Sequence, residues 1–440
     1  MAPNRYRPGA RAVMVAPPLT APRLPAAPEM TDDDPSPAAP GNVFRHRGFA
    51  YYWTSRLIAT FAVQFVSVAV GWQVYDLTRD PFDLGLVGLV QFLPSLALVL
   101  VTGAVADRFN RRKIMAICIV LEILCALALL ALTMGADHRV WPIFAVLAGF
   151  GIARAFLGPA VQSLLPNLVP TAELSTAIAW NSSSWQIATI TGPVIGGLLY
   201  GLAPEAPYAC AAVLMAVAVG LVALIPRPAQ KSVPEPASWE SLGAGFRYIW
   251  SEKIVLGAIS LDLFAVLLGG ATALMPAYAR DILDVGPWGL GLLRAAPGVG
   301  ALVTAVWLAR RPIADSAGLI MFACVAGFGL FTSVFGASTL PWLSIVALAF
   351  MGAFDMVSVY VRESLIQLWT PDSLRGRVNA VNMVFVGASN ELGEFRAGIS
   401  AALLGVIPAV VIGGVGTMVV AGLWSTWFPQ LRKIQRLDHA

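Results

Sequence analysis

Long apolar runs separated by short polar links constrain this chain more than any other feature. A window of about 19 residues, enough helix to cross roughly 30 Å of hydrocarbon, finds twelve of them. They cover residues 50–77, 83–106, 114–135, 141–165, 175–201, 207–226, 253–279, 288–309, 316–336, 341–365, 377–404 and 407–428. The longest polar interruption, PRPAQKSVPEPASWESLGAGFRYIWSE, falls between the sixth and seventh runs and divides them into two sets of six. The expectation is an all-α membrane protein with twelve transmembrane helices.

Composition agrees. Hydrophobic residues make up 58% and charged residues 12% of the 440, against roughly 25% charged in soluble domains. The lipid bilayer is therefore the first partner to expect. Cys118, Cys125, Cys210 and Cys324 all lie in apolar runs and read as buried thiols. The three His fall outside those runs and no Cys/His spacing suits a metal, so no metal site is expected. Residues 1–43, rich in Pro, Ala and Arg and lacking an apolar core, read as a disordered cytoplasmic tail.

Lys and Arg set the orientation. With the N-terminus cytoplasmic, the inner links carry residues such as Arg108, Arg111, Arg112, Lys113, Arg310, Arg311, Arg375 and Arg377, whereas the outer links carry Arg79, Arg139 and Arg280. That imbalance puts both termini inside and accounts for the net charge of +4 without a nucleic-acid partner.

The halves repeat one another. At an offset of 201, residues 162–181 lie over residues 363–382, pairing Pro170 with Pro371 and Asn181 with Asn382; at an offset of 203, GLVQFLP lies over GLLRAAP. The expected organisation is an N-terminal six-helix bundle (44–226), a cytoplasmic linker with a short amphipathic helix (227–252), a C-terminal six-helix bundle (253–430) and a cytoplasmic tail (431–440). Duplicated bundles around a midplane cavity characterise secondary transporters.

Three stretches carry more than topology. GAVADRFNRR, in the link after the second run, holds Gly103, Asp107, Arg108, Arg111 and Arg112. GFGIARAFLGPA, in the fourth run, sets Arg154 four residues before Gly158, and a cation at membrane depth is costly enough to imply function. ATITGPVIGG, in the fifth, holds Gly192, Pro193, Gly196 and Gly197, where small residues let helices approach and Pro193 kinks the helix. Together these resemble the signatures of the major facilitator superfamily: a gate motif between helices 2 and 3, an Arg before a Gly in helix 4, and an exporter and antiporter motif in helix 5. The resemblance covers the whole twelve-helix chain and implies two pseudo-symmetric bundles. One departure is Asn110 in place of Gly; Asn tolerates a left-handed backbone next best, so the turn is expected to survive. The resemblance also implies that Asp107 latches the cytoplasmic ends of the two halves, against the N-terminal end of the eleventh helix near Arg375 and Arg377.

In that architecture helices 1, 4, 7 and 10 surround the cavity, and each has an ionisable residue here: Arg56, Arg154, Asp262 and Asp355. Arg154, Asp262 and Asp355 are expected to share one wet pocket, with Arg154 facing Asp355 across it. Arg56, Arg154 and Arg294 are the candidates for a substrate cavity, whereas Asp262, Asp355, Glu391 and Glu394 are those for proton coupling, since burial favours a neutral carboxyl. Glu391 and Glu394 share a helical face, with Arg396 pointing elsewhere. Arg362 and Glu363 are expected at the cytoplasmic interface, and Glu122 stands isolated.

DLFAVLLGG, GLGLLRAAPG and SNELGEFRAG are similar to the subgroup of the superfamily that contains the enterobactin exporter and secretion effectors. That resemblance implies export of a siderophore-like small molecule across the inner membrane; the buried carboxylates add the expectation of proton coupling, and a monomer is expected. Macrolide or multidrug efflux is the first alternative, and a lipid flippase or non-transporting sensor the second. No phosphate-binding loop, HExxH or intact G-x-G-x-x-G occurs, so neither an enzyme nor a cofactor is expected.

Overall fold

The structure is a computed structural model that describes residues 42–135, 139–226, 239–313 and 315–437. Those residues form helices without strands. Six make the first half: α1 (Arg47–Thr78), α2 (Pro81–Arg108), α3 (Arg111–Met134), α4 (Trp141–Leu164), α5 (Leu174–Leu202) and α6 (Ala206–Leu224). The amphipathic α7 (Trp239–Ser251) precedes the second half: α8 (Lys253–Gly269), α9 (Gly286–Arg310), α10 (Ala317–Ala337), α11 (Pro341–Trp369), α12 (Asp372–Leu404) and α13 (Val406–Trp427), with a final turn, α14 (Pro429–Arg432). Residues 1–41 and 227–238, which include most of the expected N-terminal tail and linker, lie outside the described residues.

Among the described residues, ten helical segments are long and apolar enough to cross a membrane. The two that fall short of the count of twelve are α5 and α12, equally long but diluted by polar residues: NSSSWQ in α5, and Glu391, Glu394 and Arg396 in α12. These same two helices make the seams between the halves. At one seam the Pro193 carbonyl of α5 lies where a side chain on Gly291 of α9 would go, and the Pro287 carbonyl of α9 does the same to Gly197. At the other seam Gly85 of α2 meets Gly398 of α12, where an added Cβ on Gly398 would stand 2.8 Å from the Gly85 Cα. Glycine is required at these crossings because backbones touch without intervening side chains.

The seventh span is broken. Beyond Gly269 the chain passes through a 3-10 turn (Thr272–Leu274) and a wide turn ending at Ile282. A helix that stops inside hydrocarbon leaves carbonyls without partners. Arg396 of α12 supplies them: Nε donates to the Leu267 carbonyl at 2.8 Å and Nη2 to the Leu268 carbonyl at 2.6 Å. A cation at a helix C-terminus also suits the helix dipole.

Residues 431–437 are not a free tail. The start of α10 takes its hydrogen-bond acceptors from them, with the Ala317 and Gly318 N–H groups donating to the carbonyls of Gln435 and Ile434, each at 3.1 Å.

Candidate functional site

The α2–α3 link is built by capping, not by a left-handed turn. Asn110 has φ −64° and ψ 111°, and its side-chain oxygen accepts from the N–H groups of Arg112 at 3.0 Å and Lys113 at 3.3 Å. The expected left-handed Asn110 is therefore corrected: it is the N-cap of α3, a position that Asn fills well. Arg111 is buried and donates to the Ala106 carbonyl at 3.3 Å and the Ser163 carbonyl at 3.0 Å, while Arg112 donates to the Ile225 carbonyl. Both thus bind the link to the ends of α4 and α6 within one half. Arg108 is exposed and Gly103 half-buried in the last turns of α2. The Asp107 side chain lies outside the described residues, so its expected latch stays a proposal.

In α5, Gly192 and Gly196 face α1, their added Cβ atoms falling 2.7 Å from Gln64 Cβ and 3.0 Å from Phe65 Cα. Gly197 and the Pro193 carbonyl face α9. The motif therefore grips helices of both halves.

The predicted charged residues form three groups rather than one pocket. The first surrounds a cavity of about 550 Å³ within the first half, lined by Arg56 of α1, Glu122 of α3, Arg154 of α4 and Trp185 of α5. The second surrounds a cavity of about 210 Å³ between the halves, where Arg154 and Gln91 meet Arg294, Glu391 and Glu394. Arg154 approaches Gln91 Oε1 at 3.5 Å and borders both cavities. Arg294 of α9 reaches across to α1, donating from Nη1 to Ser67 Oγ at 2.8 Å. Its guanidinium fits because Gly71 has no side chain: a Cβ there would lie 3.0 Å from Arg294 Nη2. Gly88 of α2 does the same for the carboxylates, since a Cβ on it would lie 2.7 Å from Glu391 Oε2 and 3.2 Å from Glu394 Oε2.

The third group is internal to the second half. Asp262 of α8 is ion-paired with Arg362 of α11, whose side chain is only 5% exposed, and Asp355 interacts electrostatically with both. Arg362 is thus buried, a correction to its expected place at the interface. Arg154 and Asp355 do not share a cavity wall as expected: Arg154 belongs to the first two groups, and Asp355 to the third. Two cations and a carboxylate in one half are matched by two carboxylates and a cation in the other.

A fourth cluster went unread in the sequence. At the α1–α2 end, Asp76 of α1 and Arg79, which caps that helix, meet Arg280 and Asp281 of the seventh span. Arg280 pairs with Asp76 and lies 5.4 Å from the Trp72 ring centroid; Arg79 pairs with Asp281 at 3.1 Å, and Tyr75 donates to Asp281. These pairs tie one half to the other. Arg79 has φ 54° and caps α1, its N–H donating to the Tyr75 carbonyl at 2.9 Å. The signal available in the sequence was the near-mirror pattern of Asp76 and Arg79 against Arg280 and Asp281, all near span ends.

Comparison with known proteins places this arrangement. The description "transmembrane secretion effector" matches residues 36–440. The chain belongs to that family. Enterobactin exporters of Escherichia coli O1:K1 / APEC and of Citrobacter koseri are each 24% identical over 405 residues, covering 89% of this chain and 94% of theirs. Solved structures share the major facilitator fold at low identity. A POT family transporter aligns with TM-score 0.69 at 13% identity, covering 88% of this chain and 97% of its own. A bacterial homologue of the iron transporter ferroportin, in an inward-facing state, aligns with TM-score 0.64 at 15% identity, covering 90% and 100%. The family is one of multi-pass membrane transporters, not enzymes.

Proposed function

We propose that this secretion effector exports a siderophore-like anionic metabolite across the inner membrane by proton antiport, working as a monomer with both termini cytoplasmic. The observation that carries the reading is the placement of Arg154, which borders both the cavity holding Arg56 and the chamber holding Arg294, Glu391 and Glu394. Guanidinium groups bind carboxylates and catecholates through charge-assisted hydrogen bonds. Paired carboxylates in a confined space suit proton exchange, because two like charges side by side favour retention of a proton. Arg56, Arg154 and Arg294 are assigned to cargo, and Glu391 and Glu394 to protons. Asp262 and Asp355 form a second proton-coupling pair held by Arg362. The exporters that are similar over most of the chain support the direction and class of transport.

Gly103, Asp107, Arg108, Arg111 and Arg112 are assigned to the cytoplasmic gate, and Gly192, Pro193, Gly196 and Gly197 to the sliding contact between halves. The test compares metabolites of cells with and without the gene under iron limitation. Intracellular build-up of a catecholate, reversed by the intact protein but not by Glu391→Gln/Glu394→Gln or by Asp262→Asn, is the expected outcome. Unchanged siderophore levels alongside altered macrolide tolerance would replace this reading with drug efflux.

A further inference from the structure

Glu122 sits in the middle of α3 within an otherwise apolar run, ICIVLEILCALALL. It is 0% exposed, and neither carboxylate oxygen has a hydrogen-bond partner among the described residues. A buried carboxylate without partners is costly unless compensating charge stands near. Its electrostatic neighbours are Arg154 and Arg56, and all three line the same cavity of about 550 Å³. Those three are the ionisable residues of that wall; the rest is apolar or neutral, with Trp185 and Asn181 among the flat and polar surfaces offered to a ligand. The Arg56 Nε is likewise buried and without a hydrogen-bond partner among the described residues. Two guanidiniums and one carboxyl group therefore line the cavity, none joined to another in a direct ion pair.

We propose that Glu122 is a specificity-determining residue: its carboxylate is a built-in counter-anion that leaves the cavity with a single net positive charge and so selects monoanionic cargo. This rests on the reading of that cavity as the cargo site. Charges that line one wall act jointly on any ion that enters, and Glu122, itself shut off from solvent, acts through less screening than an exposed carboxylate would. A neutral ligand leaves one cation uncompensated, a dianion leaves one negative charge in excess, and a monoanion balances the site. Removing Glu122 raises the fixed charge to two and shifts the preference to dianions. Removing Arg154 as well restores a single charge and the original preference, which no loss of packing reproduces.

The experiment measures calorimetric binding of benzoate, a monoanion, and phthalate, a dianion on the same ring, in mildly alkaline buffer. It uses the full chain in lipid nanodiscs. Wild type is expected to favour benzoate. Glu122→Gln is expected to change the benzoate-to-phthalate affinity ratio by at least about tenfold toward phthalate, Glu122→Asp to keep the wild-type ratio, and Glu122→Gln/Arg154→Gln to return it. A wild-type preference for phthalate, or an unchanged ratio in Glu122→Gln, overturns the proposal. Thermal unfolding of Glu122→Gln, Arg154→Gln and the double variant supplies a ligand-independent control: the charges are coupled if the effects are non-additive, and additive effects overturn the counter-anion role. Coupled charges with neither ion bound by any variant overturn the cargo-site reading, and the selectivity claim with it.

Discussion

At the residue scale, Asn110 shows how a departure from a familiar motif is absorbed. The side chain caps α3 by accepting two backbone N–H groups, so Asn110→Ala is expected to cost about 1 kcal/mol, and Asn110→Gly only a few tenths. Thermal unfolding of the purified protein checks this, and a stabilising Gly would restore the left-handed reading. Arg396 carries more. It satisfies two carbonyls at the break in the seventh span, each charge-assisted bond being worth about 1.5–3 kcal/mol. Arg396→Met is expected to lower the unfolding midpoint sharply and cut the yield of folded protein, whereas Arg396→Lys retains part of the loss. The sequence showed that Arg396 points away from Glu391 and Glu394, but not what it points at. Its acceptors sit about 130 positions earlier, at the end of a helix whose break reads in sequence only as a Gly-Gly pair.

At the scale of elements, hydropathy made most spans legible within a few residues: the expected 50–77 is Arg47–Thr78, and 207–226 is Ala206–Leu224. Hydrocarbon imposes length and apolarity on helices that face lipid, and those two properties are local. Contacts between helices are not local, which is why the Asp262–Arg362 pair and the ties of Asp76 to Arg280 and Arg79 to Asp281 were missed. Those ties close the α1–α2 end of the molecule by joining α1 to the seventh span. Arg280→Asp is expected to weaken that closure, raising the accessibility of a cysteine placed at Ser67 to a membrane-impermeant thiol reagent applied on the side of the α1–α2 link by a few-fold. The exchange Asp76→Arg/Arg280→Asp is expected to restore protection. Equal labelling of all three proteins would show that the pairs are incidental surface contacts, which contribute little.

At the scale of the whole molecule, duplication was visible as two short matches at nearly the same offset, and the two seams follow from it: α2 with α12, and α5 with α9. The division of charge between the halves was only partly visible, because Arg154, Glu122 and Arg362 look alike in sequence as ions in apolar runs and differ only in what faces them. If Asp107 holds the termini-side ends of the halves together, Asp107→Ala is expected to reduce transport at least about tenfold, a loss of transition-state stabilisation of about 1.4 kcal/mol. Membrane insertion is expected to remain intact, as judged by surface labelling; normal efflux by that variant would refute the latch. Arg154 has one more implication. On the proposed reading, the single guanidinium that borders both compartments would link their occupants thermodynamically. Whatever factor protonation of Glu391 and Glu394 changes the affinity for an anion in the neighbouring cavity, that anion must change their proton affinity by the same factor. Reciprocity of this kind lets two gradients exchange work through a side chain that itself goes nowhere.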